Sequence, residues 1–247
     1  MPNSFLHRLR IATDFEDEEA QIVDNLCERQ REVPAKRYIS RDGDRILRFP
    51  VILNGWAARY QILRNGSRQI TGLLLPGDAF FYDAYPGFVA TEEIVALSPC
   101  RVARVSHVDF ERTMERFPLI AQALRNYSRM ENAVMASWIV NVGRRDALER
   151  MAHLICEAYV RLAMIGHTRG DRFDFPLTQD DIADVLGLTP VHVNRKLQQL
   201  RQEGLIHLRS KEMTIIDRHA LQQVAGFDSG YLEPAKQRTP TLVEAAA

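Results

Sequence analysis

Cysteine is scarce in this chain: three in 247 residues, Cys27, Cys100 and Cys156, with no CxxC pair and no Cys/His cluster. Such spacing argues against a zinc site or a disulfide framework and fits a reducing cytoplasm, each thiol reading as a small buried hydrophobe. No apolar run approaches the roughly 20 residues a bilayer-spanning helix needs, so no membrane association is expected. The N-terminal MPNSFLHRLRIATDF has no apolar centre of signal-peptide type. Net charge is zero, so binding to nucleic acid has to come from a local patch and not from a global field. Also missing are a nucleophile–His–acid set and a phosphate-gripping glycine loop, which argues against an enzyme. No metal or cofactor is expected.

What is present is concentrated in Thr178–Ile206, TQDDIADVLGLTPVHVNRKLQQLRQEGLI. Ile182, Val185 and Leu186 share one face of a short helix, with small Ala183 beside them. Gly187 supplies the corner, since a left-handed backbone costs nothing without a Cβ. Thr189 can cap the next helix, and Pro190 sits at its first position, where a missing N–H does no harm. Val193, Leu197 and Leu200 recur at i, i+4 and i+7, leaving Val191, His192, Asn194, Arg195, Lys196 and Gln198 on the other face. These offsets define a helix-turn-helix, whose second helix presents a convex polar end of the kind that enters a major groove. From Thr189 to Lys211 five basic residues (Arg195, Lys196, Arg201, Arg209, Lys211) face one acid, Glu203, the balance a phosphate backbone selects. LIHLR and MTII around the turn SKE read as the two strands of a wing.

The rest of the chain fits a sensory half in front of this module. Residues 14–32 read as one helix. From Tyr38 to Ser106 short strands are punctuated by Gly43, Gly55, Gly66 and Gly77, a spacing expected of an antiparallel sandwich or roll. Asn65-Gly66 suits a type I′ hairpin, and AARYQIL alternates as a half-buried strand. A short helix DFERTMERF ends at Pro118. A longer one follows over 119–142, in which Ile120, Ala123, Tyr127, Met130, Val134, Ser137 and Asn141 keep a 3,4 spacing. With a second apolar face at Leu119, Leu124, Trp138 and Val140, the helix has to bury two sides, and the 3,4 row is expected to be a homodimer seam. Gly143 interrupts it, and RRDALERMAHLICEAYVRLAMIG forms the next helix. Asp217 caps a last helix, DRHALQQVA.

LTQDDIADVLGLTPVHVNRKLQQLRQEGLI resembles the winged helix-turn-helix of the Crp/Fnr family of bacterial transcription regulators, and LGLTPVHVNR resembles one large subgroup of it. VPAKRYISRDGDRI, LNGWAARYQIL and RQITGLLLPGDAFF are similar to the strands of that family's cyclic-nucleotide-binding-type roll. The likeness implies an α+β chain: a β-roll sensory domain over 1–117, a dimerisation helix over 118–143, a winged helix-turn-helix over 144–230 and a tail over 231–247. It implies a dimer that reads an inverted-repeat operator in double-stranded DNA, with RNA polymerase as a further partner. Base contacts fall by resemblance on Pro190, Val191, Asn194 and Arg195. Phosphate contacts are assigned to Thr178, Thr189, His192, Lys196, Gln198, Arg209 and Lys211. Val191 stands where the family usually has an acid.

Members that bind cyclic nucleotides carry a Gly-Glu pair and then an Arg-Ser/Thr holding the cyclic phosphate. Here the acid is Asp78 and the arginine position falls at Ala90, followed by Thr91, Glu92 and Glu93. Losing that guanidinium removes the charge-assisted partner of the phosphate, so cyclic nucleotide is not the expected effector. Iron–sulfur members need an N-terminal cysteine cluster, of which only Cys27 is present. Haem-binding members use an N-terminal proline and a roll histidine. Pro2 is there, but residues 38–106 hold no histidine. Asp78, Phe80, Phe81, Tyr82, Tyr85 and Phe88 lie where the family binds effectors, as core packing or as a pocket for an apolar ligand. The rival to a DNA-binding regulator is a dimeric adaptor that uses the roll without reading DNA.

Overall fold

The computed structural model describes residues 3–11, 13–80 and 89–233. Seven strands form the roll: β1 (Gln30–Val33), β2 (Tyr38–Ser40), β3 (Arg48–Asn54), β4 (Ala57–Ile62), β5 (Arg68–Leu74), β6 (Glu93–Ala96) and β7 (Cys100–Ser106). They make two antiparallel sheets, β1-β7-β3 and β2-β6-β4-β5. Strand alternation sorts their side chains into layers. Ala57, Leu74 and Ala96, paired across β4, β5 and β6, point between the sheets and meet Ile52, Ile94 and Val102. Their neighbours Ala58, Leu73 and Val95 point the other way and join the core of the C-terminal half. The start of β4 is therefore buried on both faces, where its alternation suggested only one. A whole domain is packed on the side that would otherwise meet water.

The outer face of β3 and β7 is covered by helices α1 (Ser4–Arg10), α2 (Asp17–Leu26), α3 (His107–Arg116) and α4 (Pro118–Arg144). The single helix expected over 14–32 is shorter than that. A capping box between Glu16 and Glu19 starts α2, and after Cys27 the chain leaves the helix to pair β1 with β7. The turn before β5 also differs. The Gly66 N–H donates to the Leu63 carbonyl (2.9 Å), and of the turn residues only Gly66 has a positive φ, at 83°. The central residues are thus Arg64 and Asn65, with Gly66 as the left-handed bulge residue that follows, and not an Asn-Gly type I′ pair.

Helix α4 runs through Gly143 without a break and ends at Arg144. Its 3,4 row faces inward. Ile120, Ala123 and Tyr127 pack on α1 and the roll with Met130 beside them, while Val134 is 6% and Asn141 0% exposed in the single protomer. The Ser137 hydroxyl meets His153 Nε2 at 3.1 Å. In the single protomer this row packs within the chain itself. A second row, advanced by two residues and so about 200° round the helix, is the exposed one: Gln122, Arg125, Arg129, Asn132, Ala136, Ile139 and Gly143.

The C-terminal half holds α5 (Ala147–Ala163), β8 (Arg172–Asp174), α6 (Gln179–Leu186), α7 (Pro190–Gln202), β9 (Ile206–Arg209), β10 (Glu212–Ile215) and α8 (Arg218–Ala225), closed by a 3-10 turn at Ser229–Tyr231. The wing strands β9 and β10 take β8 as a third, in the order β8-β10-β9. No helix among the described residues is long and apolar enough to cross a membrane.

Candidate DNA-binding interface and the junction behind it

The corner between α6 and α7 is built as its residue types require. The Thr178 hydroxyl accepts from the Asp181 N–H (3.1 Å), and the Asp181 carboxylate accepts from both the Thr178 N–H (3.0 Å) and its hydroxyl (2.6 Å). Gly187 has φ 63° and ψ 40°, and the Leu188 N–H donates back to the Ala183 carbonyl at 3.0 Å. Thr189 caps α7 by accepting from the His192 N–H (3.3 Å), and Pro190 opens it. Val193, Leu197 and Leu200 are buried against Ile182, Val185 and Leu186. Arg150 of α5 donates to the Leu186 carbonyl (3.0 Å), and Arg201 to the Leu208 carbonyl (3.4 Å), pinning the corner and the wing to the helices beside them.

The opposite side of α7 is open. Val191 is 78% exposed, and Pro190, His192, Arg195 and Gln198 stand in solvent with it, while Asn194 and Lys196 are half-buried. Lys196 lies along the helix and donates to Gln199 Oε1 at 3.0 Å. Arg209 and Lys211 are exposed on the wing, whose turn places Ser210 (φ 51°) and Lys211 (φ 64°) in the left-handed region. A two-residue turn of that hand matches the strand twist even without glycine, at a conformational cost of ~1 kcal/mol per residue. The Lys211 carbonyl accepts from the Phe175 N–H (2.7 Å) and braces it. Thr178 is the weakest phosphate candidate, because its hydroxyl proton and its N–H are both committed to Asp181.

Of the suspected effector residues, Phe81, Tyr82, Tyr85 and Phe88 lie outside the described residues. Phe80 is half-buried with the Arg59 guanidinium 4.5 Å above its ring. Asp78 is fully buried and held by its own chain. It accepts from the Leu75 N–H (2.6 Å) and pairs with Arg161 (2.6 Å) and Arg8 (3.3 Å). Arg161 also reaches Glu131 (3.4 Å) and Glu157 (3.5 Å). Glu157 in turn accepts from Trp138 Nε1 (2.9 Å) and from the Tyr231 hydroxyl (2.6 Å). This cluster joins α1, the β5–β6 loop, α4, α5 and the C-terminal turn. A second tie lies nearby, where Arg68 on β5 pairs with Asp181 (3.0 Å) and Asp184 (2.6 Å) of α6. Sequence reasoning missed all of these partners. The one signal available was Glu157 and Arg161 at i, i+4 within an otherwise apolar helix.

Among the described residues no group of three or more His, Cys, Asp or Glu is placed to hold a metal. Burial pushes the thiols of Cys27, Cys100 and Cys156 up to about 12, so none carries the thiolate a redox sensor needs. Alkylation of the native chain at pH 8 is expected to be slow at all three and to become complete in denaturant. One rapidly modified cysteine in the native chain would contradict this.

A β-roll joined by a long helix to a winged helix-turn-helix with a basic, open reading end defines a two-domain DNA-binding regulator. Residues 149–224 match the Crp-like helix-turn-helix domain, and residues 30–117 match the cyclic nucleotide-binding domain. The chain is 29% identical over 204 residues to the transcriptional activator protein FnrL of Cereibacter sphaeroides, covering 81% of each. It is 26% identical over 226 residues to the fumarate and nitrate reduction regulatory protein of Escherichia coli K12, covering 90% of this chain and 88% of that one. The solved structure of FixK2 from Bradyrhizobium japonicum shares the fold, with TM-score 0.70 at 23% identity over 79% of this chain and 96% of the other. The chain belongs to the Crp/Fnr family and is a transcription regulator. Regulators of this family bind DNA through the helix-turn-helix and act as dimers; they are not enzymes.

Proposed function

We propose that the chain reads an inverted-repeat operator as a homodimer, with Arg195 as the principal base-reading residue and without control by cyclic nucleotide. The observation that carries this is the open end of α7, where Pro190, Val191 and Arg195 are exposed to solvent. Arg195 can donate two parallel hydrogen bonds to O6 and N7 of a guanine, worth about 1–3 kcal/mol of discrimination. Val191 offers only apolar contact and suits a thymine methyl. Asn194, half-buried, can reach a base edge only by turning outward. Thr189, His192, Lys196, Gln198, Arg209 and Lys211 position the helix on phosphates, and two-fold symmetry sets the half-site centres about 10 bp apart. The reading also includes a cytoplasmic location and contact with RNA polymerase. Selection of bound sequences from random DNA tests it. Arg195→Ala should lose preference at one G·C pair per half-site and keep non-specific binding. Lys211→Ala should weaken all sequences alike and lower the salt slope by about one per subunit. An unchanged base preference in Arg195→Ala would mean that α7 docks differently.

The roll supports the absence of cyclic-nucleotide control. Ala90 is 1% exposed, and its backbone is tied to the 43–44 turn by the Gly43 N–H (2.8 Å) and the Asp44 carbonyl (2.9 Å). Glu92 stands beside it, paired with Arg59 at 3.6 Å. A cyclic phosphate there meets the Glu92 carboxylate, and Arg59 beside it is already engaged by that acid. Calorimetry with cyclic AMP and cyclic GMP should give no heat of binding at micromolar concentration; saturable binding by either would overturn this part of the reading.

For the dimer surface, the exposed apolar residues near the C-terminal end of α4 take the place of the buried row. Met135, Ile139 and Val140 are 46%, 74% and 50% exposed, and a groove of about 510 Å³ lies between this stretch and β5, lined by Ile70, Leu73 and Trp138 among others. An apolar helix face left in water next to an apolar groove is the surface a second copy would cover.

A further inference from the structure

The ionic cluster behind the reading head carries an inference of its own, independent of how the operator is read. Five groups from four segments meet with little water: Arg8 and Arg161 against Asp78, Glu131 and Glu157. Asp78 has both guanidiniums and a backbone N–H, and Glu157 has Trp138, Tyr231 and Arg161. Glu131 is the poorly supplied member. Among the described residues it reaches only Arg161, at 3.4 Å, and its side chain is still 23% exposed, open to protons from solvent. Fully ionised, the cluster holds three negative charges against two positive ones, in a place where each uncompensated charge is costly.

We propose that this cluster is a proton-dependent lock between the sensory half and the DNA-binding half, in which Glu131 takes up the proton that removes the excess negative charge. The groups that face Glu131 are Arg161 of α5, Asp78 of the β5–β6 loop, Arg59 of β4 and Arg8 of α1, with Tyr127 one turn away on α4. Arg59 is already paired with Glu92, so it does not balance the charge. Burial, opposed by Arg161 and reinforced by Asp78, raises the Glu131 carboxyl to about 7. A carboxyl raised in the locked form binds its proton more tightly there than in the open form. The lock is therefore firmest below the ordinary carboxylate range and weakens as pH rises, the loss levelling off above about 7. Histidines at the same junction do not mimic this: burial lowers His167, which meets Ser4 at 3.1 Å, and brings His153 down to about 3.

Two amides read the lock directly. The Leu75 N–H is held by the Asp78 carboxylate (2.6 Å), and the Ala79 N–H by the Tyr127 hydroxyl (2.9 Å). Hydrogen exchange of the full-length chain at pH 6 and pH 8, corrected for intrinsic rates, measures opening even when the open form is rare. The Leu75 and Ala79 amides should lose about tenfold in protection between these pH values, relative to amides of the β3–β7 ladder. Glu131→Gln, close in shape and unable to ionise, should keep the pH 6 protection at both. Equal protection at both pH values in the unaltered chain, or the same tenfold loss in Glu131→Gln, would overturn the proposal.

Discussion

Ile139→Asp is expected to leave a folded monomer, and Val134→Asp a chain that unfolds. The two positions are five residues apart on α4, and both are apolar. Ile139 is 74% exposed in the protomer, so an aspartate there costs the fold almost nothing. Across a two-fold axis it faces its own copy, and two carboxylates brought together in a dry seam oppose association. Val134 is 6% exposed. A carboxylate forced into that site has no partner and has to be neutralised or expelled, at a cost of several kcal/mol. Light scattering at micromolar concentration with circular dichroism separates the outcomes. A dimeric Ile139→Asp beside a folded, monomeric Val134→Asp would return the seam to the row that the protomer now buries.

Arg161→Met should lower stability by about 3–5 kcal/mol, the usual cost of removing one partner from a buried ion pair. The guanidinium is 2% exposed and sits between Asp78, Glu131 and Glu157. Methionine fills much of the volume but leaves three carboxylates facing one another, with Arg8 against Asp78 alone. In a chain of this length the melting temperature should fall by roughly 10 °C. Arg161→Lys keeps the charge yet cannot span three acceptors from one nitrogen, so its loss should be intermediate. A melting temperature within 2 °C of the parent for Arg161→Met would mean that the cluster contributes little to holding the halves together.

How far the sequence could be read depended on the range of the interactions. The helix-turn-helix was legible residue by residue because its determinants are local: Thr189 as a cap, Gly187 at a left-handed corner, Pro190 at the first turn. Glycine spacing found the roll, but strand ends set by distant partners were not visible. Residues 172–174 become a strand only because β10 offers them a ladder. Seven-residue α1 is too short to show a period, and it packs against Tyr127 and Phe49 from more than forty residues away. On α4 the apolar rhythm marks a face that, in the protomer, packs largely against its own chain. Periodicity shows that a face is buried, not what buries it, and the more apolar of two faces went to the protomer's own roll. The ionic cluster draws on positions 8, 78, 131, 157 and 161, a separation that no local pattern can signal.

That separation limits how this protein can be taken apart. Gly77 lies so close under α1 that an added Cβ would come within 2.6 Å of the Ser4 carbonyl oxygen, so the N-terminal segment is seated on the loop that carries Asp78. A chimaera that joins this roll to another regulator's reading head would bring Arg8 and Asp78 to a surface without Arg161. Trimming the first ten residues would leave Asp78 with one guanidinium. Grafts should succeed only where the five charged positions travel together, and a fusion partner is better placed after residue 233 than before residue 3.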